Sequence, residues 1–419
     1  MNRLVRKICL GALAVAAPLF SRAENLQSGD LVAVIGDSIT EQQDYSVNIE
    51  DYLLMCRPAG GLRAMQFGWG GETAGGFKNR QDNDCYRYHP TVATTCFGMN
   101  DGGYGPMDPG KARSYRDNQK GIVQGMKKAG VRFIVMGSPG CVDSDTFHFN
   151  RQTGAVYNKT LGEERDIVKQ LAKEEGVAFA DVFSPMIDVM GKAKAKYGPK
   201  YPLAGGDGVH PGHNGHLVMA YAFLKGLGCS GEIGTITVDL ASGQSTATDG
   251  HKVLTSGNGS VEIESSRYPF CFTGGNPNDP NSQRGILEFL PFNNDLNRFM
   301  LVVKGAGGKM KVTWGKESRE FEAAQLAQGI NLAAEFLDNP FCEPFMKVHQ
   351  AVQQQQNFET PMIKTWAHGL PQFRTEMPED TECYEKIIAD MGRKDRKLSD
   401  AAVGAVVPVR HTIRMEAVK

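Results

Sequence analysis

Excess positive charge is what this sequence lacks. Its 46 Lys and Arg residues stand against 47 Asp and Glu, a net of −1, so nothing is left over to neutralise a phosphate backbone, and nucleic acid is not an expected partner. There is no CxxC pair and no Cys/His spacing of the kind that holds zinc, which argues against a structural metal site. No internal repeat is visible, so a solenoid or propeller is excluded. Tryptophan is scarce, three residues in all. What is present suits a globular protein: 41% hydrophobic and 22% charged residues allow a packed core, and 419 residues suggest two or three domains at roughly 150 residues each.

The amino terminus stands apart. Arg3, Arg6 and Lys7 precede an apolar stretch from Ile8 to Phe20, and Ser21-Arg22-Ala23 ends in a small residue. This is the pattern of a secretory signal peptide over residues 1–23, cleaved after Ala23, and the apolar stretch is too short for a stable membrane span. A secreted or periplasmic location is expected. Loss of this segment leaves 42 basic against 47 acidic residues, net −5, and eight cysteines. Outside the cytosol an even cysteine count permits disulfides, although a chain this long does not need them, and some can serve as small buried hydrophobes.

Residues 24–230 alternate apolar runs with helical patterns. Leu31–Ile35, Leu62–Phe67, Thr91–Phe97, Val131–Gly137 and Val177–Asp181 read as strands. Helices are expected over 45–55, 111–129, 156–175, 185–197 and from Pro211 to Leu227. Continuous apolar strands separated by helices mean an α/β fold with a parallel sheet. From residue 231 the texture changes. Residues 231–320 are rich in Gly, Ser, Thr and Val, with short alternating runs and no helical pattern, and they predict an antiparallel β module. Residues 321–400 return to helix and include the run Gln353–Gln356, which reads as a solvated helix face. Residues 407–418 alternate again and read as a strand returning to the β module, so that the helices form an insertion within it.

Four short blocks follow strands. Gly36-Asp37-Ser38-Ile39-Thr40 places a hydroxyl at the carboxyl end of the first strand, where α/β folds bind ligands. Gly68-Trp69-Gly70-Gly71-Glu72-Thr73 offers backbone N–H groups close to a ligand. Gly98-Met99-Asn100-Asp101 offers a side-chain amide donor. Asp207-Gly208-Val209-His210-Pro211 pairs a carboxylate with an imidazole three residues on, an orienting acid and a general base. Alone, each block also reads as an ordinary cap, tight loop, Asx-turn or surface pair. Together they supply a nucleophile, oxyanion donors, a base and its partner.

On these four blocks residues 29–228 resemble the SGNH family, also called GDSL esterases and lipases. The resemblance implies a flavodoxin-like three-layer α/β/α fold and ester hydrolysis through an acyl-enzyme. It implies Ser38 as nucleophile, His210 as base and Asp207 as its partner. It further implies an oxyanion hole made of the Ser38 and Gly71 N–H groups and the Asn100 amide. One departure stands out: many relatives carry an asparagine ahead of the glycines where this chain has Gln66-Phe67, and Gly70 adjoins Gly71. No cofactor is implied. His210, His213 and His216 recur at three-residue intervals, which makes a metal conceivable, but Pro211 would start a helix beyond His210 and leave His213 and His216 as residues of its first turns.

For the substrate, Tyr86, Arg87, Tyr88, His89, Tyr104 and Asp143 are polar and aromatic residues in loops around the blocks, and they suit a sugar better than a lipid chain. The expected reaction is removal of acetyl or other short acyl groups from an acylated small molecule or glycan. A lysophospholipase or arylesterase of the same fold is the alternative enzyme, and a non-catalytic glycan-binding protein the alternative class. Trp314 and Trp366 could stack on sugars, but a buttressing role for the β module is the expected one.

Overall fold

The computed structural model describes residues 26–56, 60–276, 279 and 282–418, and the expected leader at residues 1–23 lies outside them. In chain order the first half forms β1 (Leu31–Gly36), α1 (Ser38–Glu41), α2 (Asp44–Asp51), β2 (Arg63–Gln66), α3 (Ala74–Asp84), β3 (Val92–Cys96) and α4 (Pro109–Lys128). It continues with β4 (Phe133–Gly137), α5 (Gly154–Glu175), β5 (Ala178–Ala180), α6 (Phe183–Tyr197) and α7 (His213–Gly226). The five strands make one parallel sheet in the order β2-β1-β3-β4-β5. The apolar runs explain it. In β1, Val32 and Val34 enter one core and Ala33 and Ile35 the other, all four fully buried. Side chains alternate across a strand, so an unbroken apolar run is buried on both faces, and here helices cover each face. Tyr45 of α2 and Leu217 of α7 pack on one side, and Phe77 of α3, Ile122 of α4 and Val168 of α5 on the other. The chain runs from β1 outward to β2 and then crosses to β3, which makes the β1/β3 edge the topological switch point, the place where such sheets bind ligands.

The second half forms β6 (Glu232–Asp239), β7 (Ser245–Ala247), β8 (His251–Gly257), β9 (Ser260–Ser265), α8 (Phe292–Leu296), β10 (Arg298–Lys304), β11 (Met310–Trp314) and β12 (Glu317–Phe321). Next come α9 (Ala323–Gln328), β13 (Ile330–Asn331), α10 (Leu332–Glu335) and α11 (Cys342–Pro361). A π-helical stretch, Met362–Ala367, leads into α12 (His368–Glu376), α13 (Thr381–Ala405) and β14 (Val409–Ala417). Two sheets result, β13-β10-β6-β7 and β12-β11-β14-β9-β8. The terminal strand β14 pairs with both β9 and β11, so the helices from α11 to α13 are inserted within a β-rich unit. Trp314 is fully buried there, its indole N–H donating to His411 Nδ1 at 3.1 Å.

Three expectations need correction. The β-rich part is not wholly antiparallel: β6 and β10 pair in parallel. Short helices interrupt it at Gln283–Ile286 and Phe292–Leu296, because Phe292 and Leu296 bury an apolar face too short to register as a helical period. The run Gln353–Gln356 is not a solvated face either; Gln353 and Gln354 are exposed, but Gln355 and Gln356 are buried against α2. No disulfide joins the cysteines among the described residues, and six of these eight are buried. No helix among the described residues is long and apolar enough to cross a membrane.

Candidate active site

Ser38 opens α1 directly behind β1, and the Asp37 carboxylate caps that helix by accepting the Ile39 N–H at 3.0 Å. Burial pushes the Asp37 carboxyl up to about 7, so near neutrality it carries only part of a charge beside the serine. The turn after β2 must pass very close to α1: a Cβ on Gly68 would lie 2.2 Å from the Glu41 backbone nitrogen, so only glycine fits. Gly70 donates its N–H to the Glu41 carboxylate. The exposed Gly71 N–H and the Ser38 N–H have no hydrogen-bond partner among the described residues.

Asn100 follows β3. Its Nδ2 donates to the Glu72 carbonyl at 3.0 Å, and its Oδ1 accepts from the Tyr104 hydroxyl at 2.9 Å. The amide orientation is thus fixed from both ends, with one N–H left over. Glu72 is itself held by a buried two-pronged contact with Arg80, at 2.7 and 2.6 Å. Asp101, raised to about 6 mainly by burial, accepts the Ala74 and Gly98 N–H groups at 3.0 and 3.1 Å and closes the loops onto one another.

The fourth block meets these three in space. His210 Nε2 lies 2.9 Å from Ser38 Oγ, 172 positions away in sequence. His210 Nδ1 lies 2.7 Å from Asp207 Oδ2, while Asp207 Oδ1 accepts the Val209 and His210 N–H groups at 2.9 Å each. Partial burial raises the Asp207 carboxyl, but the hydrogen bonds from His210 and Val209 outweigh it and hold the group below the usual carboxylate range. The turn depends on Gly205 at φ +77°, where a Cβ would fall 1.8 Å from the His210 carbonyl oxygen. Ser38, Asn100 and His210 are half-buried and Asp207 and Gly71 exposed, so the site is open to solvent.

The structure thus gathers Ser38, Asn100, Asp207, His210 and the Gly70-Gly71 turn, but not the residues read as a sugar surface. Tyr86–His89 precede β3 at the opposite end of the sheet, where Tyr86 donates to Gln81 and Arg87 pairs with Glu385. Asp143 is buried and paired with Lys194. Of that set only Tyr104 borders the site. Pro211 does not start a helix; α7 begins at His213 behind Gly212. The three histidines of that segment face different partners, His213 the Asp44 carboxylate and His216 the Gln42 amide oxygen. Among the described residues no group of three or more His, Cys, Asp or Glu is placed to hold a metal. Glu41 and Lys364 escaped sequence reasoning altogether, since nothing local marks a carboxylate and an amine 323 positions apart as partners.

Residues 34–218 match the model of the GDSL-like Lipase/Acylhydrolase family. An acetylxylan esterase from Geobacillus stearothermophilus is 25% identical over 222 residues, which cover 48% of this chain and 95% of that protein. A solved structure described as a gut microbial diltiazem-metabolizing enzyme superposes with a TM-score of 0.72 at 22% identity, covering 95% of this chain and all of the other; it shares the fold through both halves. Residues 34–218 are therefore a GDSL-like lipase/acylhydrolase domain. The chain that carries it is a carboxylic ester hydrolase.

Proposed function

We propose that the protein is an exported serine esterase that removes short acyl groups, acetyl above all, from a carbohydrate. The observation that carries the mechanism is the 2.9 Å contact of Ser38 Oγ with an imidazole whose other nitrogen is 2.7 Å from Asp207. With Nδ1–H donated to Asp207, Nε2 accepts the Ser38 proton as Oγ attacks the ester carbonyl carbon. The tetrahedral oxyanion takes the Ser38 and Gly71 N–H groups and the spare Asn100 N–H. Collapse breaks the bond to the alcohol, which leaves with the proton held by His210. Water, deprotonated by the same imidazole, then releases the acid from Ser38. Losing one oxyanion donor costs ~10²–10³ in turnover.

The choice of acyl group and alcohol rests on the acetylxylan esterase relative and on the open site, which leaves room for a bulky alcohol. A fluorophosphonate that labels the wild-type protein but not Ser38→Ala supports the serine mechanism, and absence of labelling in both overturns it. An acyl-chain series with the pure enzyme, followed by acetate release from acetylated xylan and other glycans, tests the substrate. Preference for long chains with no acetate released would replace this reading with a lipid-directed one.

A further inference from the structure

The helical insertion does more than fill space beside the hydrolase sheet. Glu41, the last residue of α1, sits three positions after Ser38, and one of its carboxylate oxygens accepts the Gly70 N–H. Its other oxygen accepts from the ammonium of Lys364, on the π-helical stretch that begins directly behind Pro361. One carboxylate therefore ties the nucleophile's helix to the oxyanion turn, and its cation comes from the other half of the chain. The Lys364 ammonium also lies 4.9 Å from the centre of the Trp69 ring, and His368 meets that ring edge-on at 4.7 Å.

A second connection braces the near end of the same turn. Gln66 Oε1 accepts the Gly68 N–H at 2.9 Å, and Gln66 Nε2 donates to Thr360 Oγ1 at 2.6 Å. The Gln66 backbone N–H donates to Glu359 Oε2 at 2.8 Å. The turn from Gly68 to Gly70 is thus held at both ends by acceptors that α11 and its π-helical extension orient, and Gly71 is the next residue. π-Turns recur at functional sites.

Resting on the esterase reading above, we infer that Lys364 is a positioning residue for the oxyanion donors and that the carboxy-terminal half completes the site. With Lys364 gone, the Glu41 side chain, already one-quarter exposed, is drawn toward water. The Gly70 N–H loses its acceptor, and the distance between the Ser38 and Gly71 donors is no longer set. Donor placement matters chiefly in the transition state, so the loss falls on kcat rather than KM.

The test uses the full chain as Lys364→Met, Lys364→Arg and, as a control on the exposed face of α11, Lys347→Met. Active sites are counted with a fluorophosphonate. The inactivation rate per site is measured along with kcat and KM for p-nitrophenyl acetate. Lys364→Met is expected to lower kcat per titrated site about tenfold, within the range that small misplacements of catalytic groups produce. KM stays near wild type and fluorophosphonate inactivation slows to the same degree. Lys364→Arg recovers most of the rate and Lys347→Met loses none. Wild-type turnover per site in Lys364→Met overturns the role, as does a loss explained wholly by fewer titratable sites or shared by Lys347→Met. If the wild type itself fails to label, the esterase reading falls and takes this inference with it; if it labels and Lys364→Met labels as fast per site, only the inference falls.

Discussion

Ser38 and His210 stand 172 positions apart in sequence and 2.9 Å apart in space, yet both were legible because each sits in a compact block with its own chemistry. Residues that act through others were not. Gln66 looked only like a departure from the family pattern, although its side chain reaches both Gly68 and Thr360. Tyr104 was read as a sugar contact, but its hydroxyl orients the Asn100 amide at 2.9 Å. A hydrogen bond between side chains four residues apart in a loop leaves no periodic trace, whereas a motif does. Tyr104→Phe therefore serves as a test at this scale. It keeps the ring stacked on Phe149, with centroids 4.9 Å apart, and removes only the donor to Asn100. Turnover on p-nitrophenyl acetate is expected to fall severalfold with KM little changed, since an amide free to rotate stabilises the oxyanion less well. An unchanged kcat would mean that the Glu72 carbonyl alone fixes the amide.

At the scale of elements, the strands of the parallel sheet were read within a residue or two, because doubly covered strands show as unbroken apolar runs. Helix α11 was found but its faces were misjudged. A glutamine run carries no hydrophobic signal, and burial of Gln355 and Gln356 is decided by what faces them on α2. Gln356 Nε2 donates to Glu50 at 2.9 Å and its Oε1 accepts from Ser46 at 2.6 Å, all three buried. Gln356→Met fills similar space but strands a carboxyl oxygen and a hydroxyl. At about 1–3 kcal/mol for each buried group left unsatisfied, the variant should unfold at clearly lower denaturant concentration, with the midpoint moved and the slope kept. Gln353→Met, on the exposed face of the same helix, should behave as wild type. Strands β7, β8 and β12 show the opposite case: half-exposed and largely polar, they are defined by pairing and not by composition.

At the scale of the whole molecule, the junction of the two halves holds several buried carboxyls. Burial raises Glu50 to about 7 and lifts Glu359 well above the ordinary range. Such groups are protonated in the folded state at a pH where the unfolded chain has already lost the proton. The folded state then binds more protons, and stability falls as pH rises from about 4.5 through 7. Thermal unfolding from pH 5 to 8 should show a declining Tm, and Glu359→Gln, which removes one ionisable group from the pair, should flatten the decline. A Tm that climbs across this range would show that the carboxyls are already ionised in the folded protein. Another consequence follows from β14. It is the central strand of its sheet and follows the helical insertion in sequence. Without it, β8–β9 and β11–β12 would be separate hairpins, because β14 pairs with β9 on one side and β11 on the other. The stretch bearing Lys364 therefore lies on a loop of helices whose two ends, β12 and β14, belong to the same sheet, so a strand far from the serine in sequence fixes where that insertion begins and ends.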